Sequence, residues 1–208
     1  MKFTRVLVPA IALATVASLA ACSNDDEPGS GAAPSATTGA EEQDGAAEGA
    51  TFNDQDVMFA QMMIPNHEQA IEMSDVILTK DGVEPEITDL ANQIKDAQGP
   101  EIEQLTTWLE EWGSPMEEPG GMDHEAMGHG SMDGMMSEED MEALDAARGA
   151  EAGQLFLEQM IVHHEGAVEM AQTQIDEGEN ADAVAMAQEI VETQQAEIST
   201  MEDLLASR

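Results

Sequence analysis

Apolar positions recur every three or four residues over long stretches of this chain. Phe156, Met160, Ala167 and Ala171 share one stripe with His164, and Ile94, Ile102, Leu105 and Leu109 keep multiples of the same spacing, which predicts amphipathic helices. The patterns occur twice. "FAQMMIPNHEQAIEM" (Phe59 to Met73) lies over "FLEQMIVHHEGAVEM" (Phe156 to Met170) at a constant offset of 97, and "LANQIKDAQGPEIEQLTTWL" (Leu90 to Leu109) over "MAQEIVETQQAEISTMEDLL" (Met186 to Leu205) at 96. One residue lost between the blocks fits a helix–loop–helix unit used twice. Turn signals sit between the blocks, Lys80-Asp81-Gly82 in the first copy and Glu177-Gly178-Glu179-Asn180 in the second. The predicted fold is all-α, with two repeated αα-hairpins (52–112 and 138–208) burying one another's apolar faces as a four-helix bundle over 51–208.

The copies interpret each other's irregularities. Gly99-Pro100 would ordinarily end a helix, but the other copy reads Gln195-Ala196 there, so a kinked, uninterrupted helix is expected. Pro65 faces Val162, and a kink or local restart beside His67 is expected. Residues 113–137 carry Gly, Pro, Met, His and acid without period and read as the inter-hairpin linker. Ser137 before Glu138-Glu139-Asp140 marks the next helix start.

The N-terminus has a different character. Lys2 and Arg5 precede an apolar run from Val6 to Leu19, the form of an export signal over residues 1–21. The run ends in Leu19-Ala20-Ala21-Cys22, which resembles a bacterial lipobox and makes Cys22 the predicted lipidation site. Cys22 is the single cysteine and has no disulfide partner; a secreted protein with a spare cysteine is the alternative. Residues 22–50, rich in Gly, Ala, Ser, Pro and acid, read as a disordered tether with a reach of roughly 30 Å.

Composition sharpens this picture. Aromatic residues make up 3% of the chain with no tyrosine, while methionine reaches 16 of 208 residues, so the core must come from Leu, Ile, Val, Ala and Met, which favours helices. The formal charge is −38, and without residues 1–21 it is −40, four basic side chains against all 44 acids. Nucleic acid is excluded as a partner, because no basic surface exists to displace phosphate counterions. Cations suit such a surface, although acidity also serves solubility alone.

Two constellations carry candidate chemistry. In the linker, Met122, His124, Met127, His129, Met132, Met135 and Met136 alternate thioether with imidazole at short spacing. Thioether is a soft donor that prefers Cu(I), and imidazole accepts either copper state. On the helices, Met160, His163 and His164 with Met170 repeat as Met63 and His67 with Met73. Met160 and His164 stand one turn apart on one face, as do Met63 and His67. Met73 and Met170 also suit core filling. Glu68, Glu72, Glu165 and Glu169 repeat as hard donors or as a solvated face, and Gln98/Glu101 and Gln194/Glu197 as inter-helix hydrogen bonds or function. No Glu-x-x-His occurs, which argues against a di-iron enzyme, and no nucleophile constellation is present.

These residues resemble the family known as domain of unknown function 305. Its Met-Ile-x-His-His-x-x-Ala-x-x-Met helix matches Met160 to Met170, and its Gln-x-x-Glu-Ile-x-x-Met helix matches Gln194 to Met201; a weaker copy lies at Met63 to Met73 and Gln98 to Leu105. The resemblance implies a ferritin-like helical bundle, frequently exported or lipid-anchored, with some members binding copper through Met and His. Two positions depart from the pattern: Asn66 stands where the second copy has His163, and Gly153 where the first has Asp56.

The expected function is therefore a non-enzymatic, exported lipoprotein on the outer face of the cytoplasmic membrane. It would bind copper, as Cu(I) or Cu(II), for sequestration or for delivery to a metal-transfer partner, with Cys22 as its membrane anchor. A non-metal interaction module is the alternative, and a ferritin-like redox enzyme ranks behind both.

Overall fold

The computed structural model describes residues 51–116 and 134–207, which form five α-helices. They are α1 (Asp54–Leu78), α2 (Pro85–Glu111), α3 (Glu138–Ala146), α4 (Gly149–Glu177) and α5 (Ala181–Ala206). The export signal 1–21, Cys22, the tether, and the linker residues Met122, His124, Met127, His129 and Met132 lie outside the described residues.

Each start has its cause in the sequence. Asn53 caps α1 in a capping box with Asp56, Ser137 does the same for α3 with Asp140, Pro85 opens α2, and Asn180 accepts from the backbone of Asp182 and Ala183 to start α5. Hydrogen bonds from Ser137 hold the Asp140 carboxyl below its ordinary pKa. Both internal prolines are carried inside single helices, Pro65 in α1 and Pro100 in α2, so neither is a boundary and no restart occurs beside His67. Gly82 makes the α1–α2 turn at φ +81, a left-handed conformation that favours glycine. The expected second hairpin, 138–208, contains a helix of its own before the repeated pair: α3 ends at Ala146, Ala147 and Arg148 are extended, and α4 begins at Gly149.

α1 packs on α2, α4 on α5, and α1 on α4. The α1–α4 pair is antiparallel. At one end Asn53 Nδ2 donates to the Glu177 carbonyl at 2.9 Å; at the other Lys80 Nζ reaches Asp145, in the helix just before α4, at 3.2 Å. Asp56 fastens the first end. Its buried carboxylate accepts from Gln174 Nε2 at 2.5 Å, from Glu179 N at 3.1 Å and from Asn180 N at 3.1 Å, so a charge on α1 neutralises the N-terminal dipole of α5. Gly153, its counterpart in the second copy, makes no such clamp, and the repeat is asymmetric here for a structural reason.

Two apolar clusters fill the interior. One contains Phe59, Met63, Ile64, Leu105, Leu109 and Ala167; the other contains Met73, Ile77, Ile94, Phe156, Leu157 and Met160. The equivalent Phe59 and Phe156 are buried in different clusters, each contributing about 1.5–3 kcal/mol. No described helix is long and apolar enough to cross a membrane.

Candidate metal centre

On both central helices, histidines occupy the boundary between the two clusters. Along α1 the order is Met63 and Ile64, then His67, then Ala70 and Met73; along α4 it is Met160, then His163 and His164, then Ala167. All three imidazoles are 0% exposed. Helical periodicity explains this, since His67 and His164 fall on the same buried stripe as the apolar residues one turn away.

A polar ring buried between apolar clusters must be held. His67 Nε2 lies 2.6 Å from Glu101 Oε2 on α2, and His164 Nε2 lies 2.8 Å from Glu197 Oε2 on α5. A carboxylate only accepts, so Nε2 donates and a neutral ring presents its Nδ1 lone pair on the other side. Neither Nδ1 has a hydrogen-bond partner. This carboxylate–imidazole pairing orients metal-ligating histidines elsewhere in protein chemistry. The repeated Gln-x-x-Glu pattern is thereby explained by its glutamates, and Gln98 and Gln194, one turn before them, are buried with unpartnered amide oxygens.

His163 has no such partner on either ring nitrogen. Its ring centroid is 6.2 Å from that of His164, at 55°. Burial pushes its pKa down to about 3, and the neighbouring His164 and His67 push in the same direction, so the ring is neutral at physiological pH. A buried polar atom left unpartnered costs about 1–3 kcal/mol. Four ring nitrogens within this layer are in this condition.

The sequence-derived thioethers are distributed around this layer. Met63 and Met160, both 0% exposed, lie in opposite clusters and border the histidines from two sides. Met73 is core in the second cluster, and Met170 packs against the first from a half-buried position. Met135 and Met136, expected to belong to the loose linker, are fixed on the helices. Gln69 donates to the Met136 carbonyl at 2.9 Å and accepts from its N–H at 2.7 Å. Asn66 Nδ2 stands 3.9 Å from Met135 Sδ. Gly134, at φ +91, packs so tightly on α4 that a Cβ there would lie 2.8 Å from Gly166 Cα. A thioether is thus brought to the position where the first copy lacks the second histidine. Sequence reasoning missed this contact, which bridges 69 residues and has no local signal.

Among the described residues, no group of three or more His, Cys, Asp or Glu side chains is arranged to hold a metal ion. The carboxylates are engaged on Nε2, so a hard-ion chelate of nitrogen and oxygen is not built here. The remaining donors are imidazole nitrogen and thioether sulfur, a soft to borderline set.

The chain matches the family described as Domain of unknown function (DUF305) over residues 56–205 and belongs to it. A DUF305 fragment from Deinococcus radiodurans is 33% identical, with a TM-score of 0.66 over 76% of this chain and 99% of its own. A candidate secreted DUF305 protein from Streptomyces coelicolor is 31% identical, with a TM-score of 0.65 over 74% of this chain and 93% of its own. CopM in its Cu(II)-bound form is 32% identical, with a TM-score of 0.61 over 73% of this chain and 96% of its own. CopM has also been solved with Cu(I) and with Ag. No curated protein sequence matches the chain.

Proposed function

We propose that this protein is an extracytoplasmic copper-binding lipoprotein that holds or hands on copper outside the cytoplasmic membrane and performs no catalysis of its own. Its four long helices act as a ferritin-like four-helix bundle around the site, Cys22 carries the lipid, and the tether keeps the helices clear of the membrane surface.

The buried histidine layer, with four ring nitrogens free of partners, carries this reading. Nδ1 of His67 and His164 and either nitrogen of His163 would be the nitrogen donors, with Met63 and Met160, about one turn away on the same helices, and Met135, brought to Asn66 by the fold, as the thioethers. Copper is cargo here. Glu101 and Glu197 fix the ring orientation, the apolar clusters keep water out, and the neutral His163 ring offers its lone pair with no proton to displace. A mixed imidazole and thioether set favours Cu(I) over Zn(II). The CopM relative, solved with Cu(I), Cu(II) and Ag, supports the choice of metal. The linker's Met and His residues would add a looser Cu(I) site, and the acidic surface concentrates cations around both.

Titration of 15N-histidine-labelled protein with Ag(I), a diamagnetic substitute for Cu(I), tests the layer. The ring resonances of His67, His163 and His164 are expected to shift together at the first equivalents. Binding that leaves all three unmoved would overturn the assignment. The competing reading, an interaction module with structural histidines, predicts that second outcome.

A further inference from the structure

The α1–α4 seam opens into a groove beyond the histidine layer. Its volume is about 230 Å³, and Met58, Met62 and Met170 line it together with Phe59, Gly166 and Glu169. Met58 and Met62 stand one turn apart on α1, so their side chains share a face, and Met170 enters from α4. Met58 is 44% exposed, among the few large apolar side chains the described residues leave in water.

We propose that this groove is a second metal site, distinct from the histidine layer, that docks a soft monovalent cation, Cu(I) or Ag(I), on the thioethers of Met58, Met62 and Met170. Methionine is unbranched and mobile, so the three side chains lining the groove from two helices can reorient toward one ion. The groove is smaller than the cavities that take organic ligands, roughly 300–1,000 Å³. Its one ionisable side chain is a carboxylate, Glu169, which with the chain's −38 charge offsets a cation's charge while neutral thioethers select a soft ion. Gly166 forms the shared border. It lines the groove, and Gly134 rests on it, so Met135 at Asn66 continues the row of thioethers along α1 toward His67. The groove shares no side chain with the histidine layer and stands or falls separately from it.

The test uses the full chain loaded anaerobically with excess Cu(I), or with Ag(I), desalted and analysed for bound metal per protein. Met58→Leu/Met62→Leu/Met170→Leu keeps the apolar lining and volume, with retained helicity checked by circular dichroism. The triple variant is expected to hold one equivalent fewer than the parent, and the 13C-methyl signals of these three methionines are expected to move on Ag(I) addition to the parent. His163→Leu, measured alongside, is expected to keep the groove's equivalent and to lose the layer's. Unchanged metal content in the triple variant, with those methyl signals unmoved, would overturn the groove site and leave the histidine layer untouched. Loss confined to the triple variant, with His163→Leu binding as the parent does, would uphold the groove and strike the layer instead.

Discussion

Replacing His163 by leucine is predicted to stabilise the metal-free protein. Two ring nitrogens without protein partners are fully buried, and a leucine of similar size removes both while filling the space. At pH 7 the expected gain is about 1–3 kcal/mol, the cost of an unpartnered buried polar group. Acid widens the gap. His163 has a folded pKa of about 3 against 6.5 in the unfolded chain, so the unfolded state takes up a proton first. Stability is complete above pH 6.5 and falls as pH drops toward about 3, by roughly 1.4 kcal/mol per pH unit. Between pH 7 and pH 5 the wild type should therefore lose roughly 2 kcal/mol that the variant keeps. Comparing the two chains cancels the changes in acidic self-repulsion that both undergo. Urea unfolding followed by the fluorescence of Trp108 and Trp112, with a strong chelator present, measures both quantities. A variant less stable than wild type at pH 7, or a pH dependence identical in the two, would refute the idea that this imidazole is held for a ligand at the expense of stability.

Other substitutions test the supporting structure. Gly134→Ala should release residues 134–136 from α4, because the new Cβ would meet Gly166 Cα at 2.8 Å and the Val162 carbonyl at 3.0 Å; faster amide exchange at Met136 reads this out. Asp56→Ala strands the N–H groups of Glu179 and Asn180 and the Gln174 amide, and should cost about 3 kcal/mol or more in urea unfolding. Glu101→Gln with Glu197→Gln keeps the volume but weakens the hold on both imidazoles; Cu(I) affinity should fall about 10–100-fold with helicity unchanged.

The repeat made the hairpins legible, because each copy's turn and helix signals support the other's. It carried the chain correctly through Pro100, where a single copy would have suggested an end. α3 was not legible as a separate helix. Its break at Ala147 and Arg148 is marked only by Gly149, which adopts φ +57. The placement of His67 and His164 on the buried stripe followed from spacing, and their glutamate partners could be glimpsed in the repeated Gln-x-x-Glu. The asymmetric half of the site could not. That Met135 reaches Asn66 depends on a chain segment folding back across α1 and α4, and no periodicity encodes such a contact. Met58 and Met62 escaped notice for a related reason: on α1 alone they sit beside its buried face, and only the approach of Met170 on α4 makes them a lining.

Competitive Cu(I) titration against a chromophoric chelator, comparing the wild type with His163→Leu/Met63→Leu/Met160→Leu, tests the central claim most directly. A copper layer between the two apolar clusters predicts that the triple variant, still fully helical, loses its tightest equivalent and binds the remainder more than 10-fold more weakly than the wild type binds its first. Equal Cu(I) stoichiometry and affinity in the two proteins would contradict it and return the histidines to a structural role.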